Sequence, residues 1–428
     1  MLGHLGPVAV LGALVVVLFV GGGAGPPVDA EGLEGRAPTP IELQPGIAAA
    51  FPRQSYASGS VASLVLFGSA PNLTVRLFQV GPEQAVTRGV NEMRGVPVTR
   101  LRRVGTPGAG GSVRIPIGEW PSGLYFARLT STDGLIGFAP FVVRPRFLGE
   151  HRVAVVLPTL TWQAYNLRDD DGDGIGNSWY ARWSIHTVQL GRPFLNRGVP
   201  YNFRRYDLPF LHWLAAEGKQ VDVLSDADLD SVPDGWTLAE NYDLVVFPGH
   251  HEYVTTHEYD VVEGYRNFGG NLIFMYSNNF FWQVVEHGNV IERTKQWRDL
   301  GRPEAALIGV QYCGSKLLTA PWVVRKASAD EWLFAGTGLR PGSPFGCGGI
   351  EIDKTASVSP GGTEVVAEIP KLFGPRFTAQ MTYYETSAGA RVFAAGAFRL
   401  LTLPIQHQIS RLLENLWVHM TSDALAST

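Results

Sequence analysis

The sequence predicts an α/β chain in two parts, a small immunoglobulin-like β-sandwich over residues 51–147 and a doubly wound α/β domain over residues 150–428. Three observations carry that expectation. Short alternating apolar segments broken by Gly and Pro fill the first part. From Val153 onward the strand-like runs become continuously apolar and are separated by helical spacing. A length of 428 residues also exceeds one ordinary core, so two domains are the starting expectation.

The first thirty residues stand apart from both domains. Val8–Val20 is almost wholly apolar, and Gly21–Pro27 breaks it up. Its length is that of a signal-peptide core and short for a membrane span, although no Lys or Arg precedes it. Residues 1–30 are read as an export signal, with cleavage and retention as a membrane anchor through residues 8–20 both open. Residues 31–50 form a Pro/Gly-rich linker. The chain is therefore expected to be exported, either secreted or membrane-anchored. Its net charge of -4, without long like-charge runs, gives no support for nucleic-acid binding.

In the sandwich, Ser60–Phe67 and Leu73–Val80 are strand-like and separated by Gly68–Asn72. Ser112–Ile117 alternates, and Trp120–Gly123 turns into Leu124–Thr130. A last strand, Ile136–Val143, ends at Pro145. No cluster of ionisable residues here resembles a catalytic site, so the expected role is structural or in recognition.

The α/β part opens with the buried-strand run Val153–Leu157. Phe210–Glu217 has helical apolar spacing and is stopped by Gly218, and Val221–Leu224 is the next strand. Leu244–Phe247 follows, then Pro248-Gly249, then three polar residues in a row: His250, His251 and Glu252. Thr255 and Glu258 form a capping-box pair that starts a helix ending near Phe268, and Asn271–Tyr276 is another strand. The turn after Leu244–Phe247 thus falls at the carboxyl edge of the sheet, where open α/β folds place ligands. Beyond Phe281 the pattern weakens. Arg325–Val366 reads as loops and strands, Arg391–Ala395 as a core strand, and Ile405–Met420 as a closing helix.

Three features could carry chemistry. Thr159–Asn166 follows the Val153 strand and so shares an edge with Glu252. Within it Tyr165 is either a core aromatic or a site residue. Asp169, Asp171 and Asp173, with Gly174, match positions 1, 3, 5 and 6 of a calcium loop, but Tyr180 stands where a bidentate Glu belongs. That stretch is a Ca²⁺ loop without an EF-hand or a solvated acidic turn. Cys313 and Cys347 are the two cysteines, and an exported chain pairs them by default as a disulfide. The GxSxG serine is missing, and His251 and Glu252 stand where an α/β hydrolase would carry its nucleophile. Any chemistry here points to a metal.

These residues carry a family resemblance. Leu157–Asn166 (LPTLTWQAYN), Asn177–Tyr180 and Gly249–Tyr253 (GHHEY), in that order, resemble the C-terminal domain of the large (beta) subunit of N,N-dimethylformamidase. The turn at Trp120–Tyr125 and the strand Phe141–Arg144 resemble the sandwich before it. The resemblance implies a glutamine-amidotransferase-like, flavodoxin-like fold and hydrolysis of small amides at a mononuclear iron. It also implies that Tyr165, Tyr180 and Glu252 hold that metal, and it raises the prospect of a small partner subunit or an oligomer. Where the family often has Trp after the Glu-Tyr pair, this chain has Val254.

Two phenolates and a carboxylate are hard anionic donors that suit Fe(III) better than zinc. His250, His251 and Asn166 are the candidates beside them for proton shuttling or oxyanion stabilisation. The expected function is a metal-dependent amidase-like hydrolase of a small amide-containing substrate. The alternative is an exported, non-catalytic binding protein for a glycan or a cell-envelope partner.

Overall fold

The computed structural model describes residues 45–105, 108–182 and 184–421. The expected leader at 1–30 and most of the expected linker at 31–50 lie outside the described residues. Among the described residues, no helix is long and apolar enough to cross a membrane.

Two sheets occupy Ala49–Arg144. One pairs Val61–Leu66 with Ala49–Ala50 and Ser112–Pro116. The other is built on Leu73–Gln79, Gly123–Thr130 and Ile136–Arg144. Val61–Leu66 alternates between exposed and buried residues, and its inward Ala62, Leu64 and Leu66 meet Val75, Leu77, Ala127 and Leu129 of the facing sheet. Period-two burial of this kind sets the register, because a one-residue slip would turn the apolar face to water.

The central feature of the chain is a ten-stranded sheet. Asp222–Ser225, Val153–Leu157, Leu244–Phe247, Asn271–Phe274 and Arg391–Ala394 lie side by side and parallel. Leu244–Phe247 is interior, with a parallel neighbour on each side. All of its residues are buried, as its continuous apolar run requires. The sheet then continues through Ala379–Glu385, Glu364–Ile369, Gln311–Val324, Pro344–Lys354 and Ala397–Phe398, and every pairing in that half is antiparallel.

This architecture overturns the expected fold class. The described residues form a multi-sheet, mainly β protein, with sheets of ten, six, four and three strands. It is not a doubly wound, flavodoxin-like or glutamine-amidotransferase-like α/β fold. That class alternates strand and helix throughout, whereas from Gln311 to Glu385 the chain runs through four strands with only the short helix Asp330–Leu333 between them. The strand Gln311–Val324 is half exposed along its length, so it lacks the continuous apolar run by which buried strands are read.

The same antiparallel pairing removes the expected disulfide. Gly314 lies opposite Ile352 and Ala320 opposite Gly348, so Cys313 and Cys347 sit near opposite ends of one ladder. That separation is about 20 Å at ~3.3 Å per residue, while a bridge requires Cα atoms roughly 4–7 Å apart. Both thiols are free.

A four-stranded sheet projects beyond the carboxyl ends of the parallel strands. Its first strand, Tyr253–Thr255, begins immediately after Glu252 and pairs with Trp282–His287. Its apolar side gathers Leu160, Ala164, Trp179, Val188, Tyr253, Val284 and Ile291, and Tyr165 and Tyr180 pack against them. Each large side chain buried there contributes about 2 kcal/mol. This small core gives the two tyrosines a rigid backing.

Candidate metal centre

Tyr165 ends the short helix Thr159–Ala164, which follows directly from the Val153 strand. The helix has no cap of its own. Instead Asp226 accepts from the Leu160 N–H at 2.6 Å and from the Thr159 hydroxyl at 3.1 Å. At the next turn the Thr161 hydroxyl oxygen accepts from the backbone N–H groups of Glu252, at 3.1 Å, and Tyr253, at 3.3 Å. The helix and the His250–Glu252 turn are thereby tied together.

Tyr180 reaches the same place from the far side of the acidic loop. The Ser178 hydroxyl donates to the Ala164 carbonyl at 2.5 Å and accepts from the Tyr180 N–H at 3.2 Å. The Trp179 indole donates to the Tyr253 hydroxyl at 3.0 Å. These bonds fold the loop back over the sheet edge.

The outcome is a shared acceptor. Tyr165 and Tyr180 both donate to Oε2 of Glu252, each at 2.7 Å, and their rings stack with centroids 4.3 Å apart. The Tyr180 hydroxyl also bonds that of Tyr253. His250 Nε2 lies 3.1 Å from the same oxygen, and its Nδ1 donates to the Ser277 carbonyl at 3.2 Å. Glu252, His250 and Tyr253 are all buried.

Electrostatics sort the charges. Burial alone would raise the Glu252 pKa, but the hydrogen bond and charge of His250, with the two phenol donors, hold it below the ordinary carboxylate value. Burial would lower His250, yet the Glu252 hydrogen bond and the nearby Glu351 keep it above the ordinary imidazole value. Tyr165 and Tyr180 are pushed well above the phenol range, first by burial and then by Glu252. A phenol so placed ionises only when a cation takes over its charge. Three hard oxygen donors meeting at one buried point, two of them needing a cation to lose their protons, fit an oxygen-ligated trivalent ion such as Fe(III).

The other expected site residues have different duties. His251 is buried, and its ring packs edge-on against Phe247 at 4.9 Å, with Nε2 3.9 Å from Asp226. Burial brings its pKa down to about 3, so it is a neutral core residue and not a shuttle. Asn166 spends its amide on the neighbouring loop, donating to the Pro193 carbonyl at 2.9 Å and accepting from the Leu195 N–H at 3.1 Å. It is a latch, not an oxyanion donor. Asp169, Asp171 and Asp173 each bring a carboxylate oxygen within 4.8 Å of the others, and Asp169 accepts from the N–H groups of Gly172 and Gly174. Their neighbour Asp170 anchors the loop by pairing with the buried Arg192 at 2.8 Å.

A cavity of about 150 Å³ opens beside Tyr165 and His250. Its lining includes two acids not singled out from the sequence. Glu351, from the strand Pro344–Lys354, has an Oε2 with no partner among the described residues. Burial raises its pKa to about 7, against the pull of His250 and with the push of Glu252, and Asn278 hydrogen-bonds its side chain. Asp207 is buried at the cavity's base, accepts from the Trp162 indole at 3.3 Å, and is raised by burial to about 8. The signal for Glu351 was present as GGIEID, where two acids alternate with Ile along one strand.

Curated relatives include the N,N-dimethylformamidase beta subunits of Paracoccus aminophilus and of Alcaligenes sp., each 31% identical over 126 residues. The aligned part is 29% of this chain and 16% of each relative, so the match spans about a sixth of the relatives' length. Among solved structures, the superoxide reductase (neelaredoxin) of Ignicoccus hospitalis has 12% identity and a TM-score of 0.15, covering 24% of this chain and 80% of that one. A cycloisomaltooligosaccharide glucanotransferase of Paenibacillus sp. has 11% identity and a TM-score of 0.19, covering 54% and 48%. Those structural likenesses are too slight to carry an argument. The family N,N-dimethylformamidase beta subunit-like, C-terminal, matches residues 110–401, most of the chain, and this chain belongs to it.

Proposed function

We propose that the chain is a metal-dependent hydrolase of the carbon–nitrogen bond of small amides, with iron held by Tyr165, Tyr180 and Glu252. The observation that carries the reading is the sharing of Glu252 Oε2 by two half-buried phenols, in a chain of this family. When bound, Fe(III) would supply Lewis acidity toward an amide carbonyl. The rest falls to the chain's own residues.

His250 holds Glu252 ionised and oriented, and its own Nδ1 is fixed by the Ser277 carbonyl. Glu351, which lines the cavity, has a buried oxygen unpartnered among the described residues and a pKa raised by burial to about 7, is the group suited to take a proton from attacking water and return it to the departing amine. The aromatic walls, Trp162, Tyr206 and Phe398 among them, exclude bulk water and strengthen these interactions. Asp169, Asp171 and Asp173 have the donor type for Ca²⁺, which in this reading would fix the loop that delivers Tyr180. The relatives are named as beta subunits, and a partner subunit for this chain belongs to the same proposal.

Metal analysis of purified protein, with a scan for a phenolate-to-iron charge-transfer band, tests the reading. Glu252→Gln is expected to lower metal content and amide hydrolysis together while near-UV circular dichroism stays native. Full iron content in that variant would remove Glu252 from the ligand set.

A further inference from the structure

We propose that the cavity beside Tyr165 takes an amide whose far end carries a carboxylate, and that Arg205 binds that carboxylate. The inference rests on the hydrolase reading and names its substrate class. It starts from the charges around one cavity. Glu252 is matched by His250 at 3.1 Å. Of the other acids on the cavity wall, Asp207 is a desolvated carboxyl whose burial favours the neutral form, and Glu351 is the proton acceptor already assigned. Arg205 is the cation on the same wall, and its guanidinium makes no hydrogen bond or ion pair among the described residues.

Its position is that of a lip. Arg205 lies near enough to Tyr201 and Tyr206 for its charge to favour ionisation of both phenols. Tyr201 in turn stacks on Tyr165 at 5.7 Å, with ring planes within 2°. Arg205 thus lines the same cavity as Tyr165, on the segment that carries Tyr201. Leu317, Ile350 and Phe398, all apolar, line the same cavity.

Arginine stays charged at every working pH, and its planar fork matches a carboxylate through two parallel hydrogen bonds. A neutral amide leaves the guanidinium's donors to water. A carboxylate at the far end gives them a charge-assisted bond and aims the amide at Tyr165 and His250. The reaction balances as ordinary hydrolysis. Water's oxygen joins the carbonyl carbon, the C–N bond breaks, and the amine leaves with a proton, so no further reactant is needed.

The test uses two probes of similar size, N-formylglycine and N-propylformamide, with the isolated metal-loaded protein. The acidic amide is expected to have a kcat/KM about tenfold or more above the neutral one, the range of a charge-assisted hydrogen bond. Arg205→Gln should collapse that ratio, mainly through KM, and Arg205→Lys should restore part of it. Equal use of the two amides, or an unchanged ratio in Arg205→Gln, would overturn the proposal. If neither amide is hydrolysed, the hydrolase reading fails by itself and calorimetry decides the binding claim. Binding of N-formylglycine that Arg205→Gln weakens about tenfold or more supports it; equal heats in the two proteins overturn it. Arg205 is exposed, so unfolding curves of the variants should overlay that of the wild type.

Discussion

The Thr161 hydroxyl oxygen lies 3.1 Å from the backbone nitrogen of Glu252, joining a helix to a turn 91 residues away in sequence. The bond decides where Glu252 begins its turn, and a second bond from Tyr253 to the same hydroxyl fixes where that turn ends. A threonine inside a helix ordinarily offers its hydroxyl to its own backbone. Here it serves a neighbouring loop instead, which makes it a positioning residue for the carboxylate.

Thr161→Val keeps the shape and removes the one oxygen that accepts both bonds. Two buried N–H groups lose their partner, and orphaning such a group costs about 1–3 kcal/mol. Urea unfolding should show a loss of that size, and metal content should fall because Glu252 is no longer held. A variant with wild-type stability and full metal content would show that the turn holds itself.

How much of this was legible follows from where the physics is local. The Leu244–Phe247 strand, the Thr255–Glu258 capping box and the polar turn between them are written in consecutive residues, and the structure has each of them. The meeting of Tyr165, Tyr180 and Glu252 was read through family motifs; no spacing rule reveals that a loop of Gly and Asp folds back over a sheet edge. The antiparallel half of the main sheet went unread because its strands are half exposed and interrupted by register shifts. Glu351 and Asp207 were missed for a related reason. Their significance lies in burial, and burial of an acid is a property of the assembled core.

The cysteines make the same point in testable form. An even count in an exported chain suggests a bridge, but antiparallel register places Cys313 and Cys347 near opposite ends of one ladder. Titration of unfolded, unreduced protein should therefore find two thiols per chain. Cys347→Ser should leave the unfolding midpoint close to wild type, since no cross-link is lost. Absence of titratable thiol would mean that the ladder pairs in another register.

Asp207 gives the molecule a pH dependence with a defined sign. Its carboxyl is buried beneath Trp162 and His250, and desolvation lifts its pKa from 3.8 to about 8, while the Trp162 hydrogen bond and the His250 charge pull the other way. Between those two values the native state keeps a proton that the unfolded chain has released. Stability from this residue is therefore fully present below the unfolded pKa and declines as pH rises toward about 8, by up to about 1.4 kcal/mol per pH unit. Asp353 and Asp226 are raised in the same direction, so the wild-type curve alone cannot isolate one residue. Asp207→Asn can, because the amide oxygen still accepts from the Trp162 indole at 3.3 Å yet carries no proton to lose. The stability of Asp207→Asn minus that of wild type, from urea unfolding at a series of pH values, should grow steadily from about pH 4 to about pH 8 and then level off. A difference that stays constant across that range would mean that Asp207 is ionised in the native protein and that a cation or ordered water at the cavity's base offsets its charge.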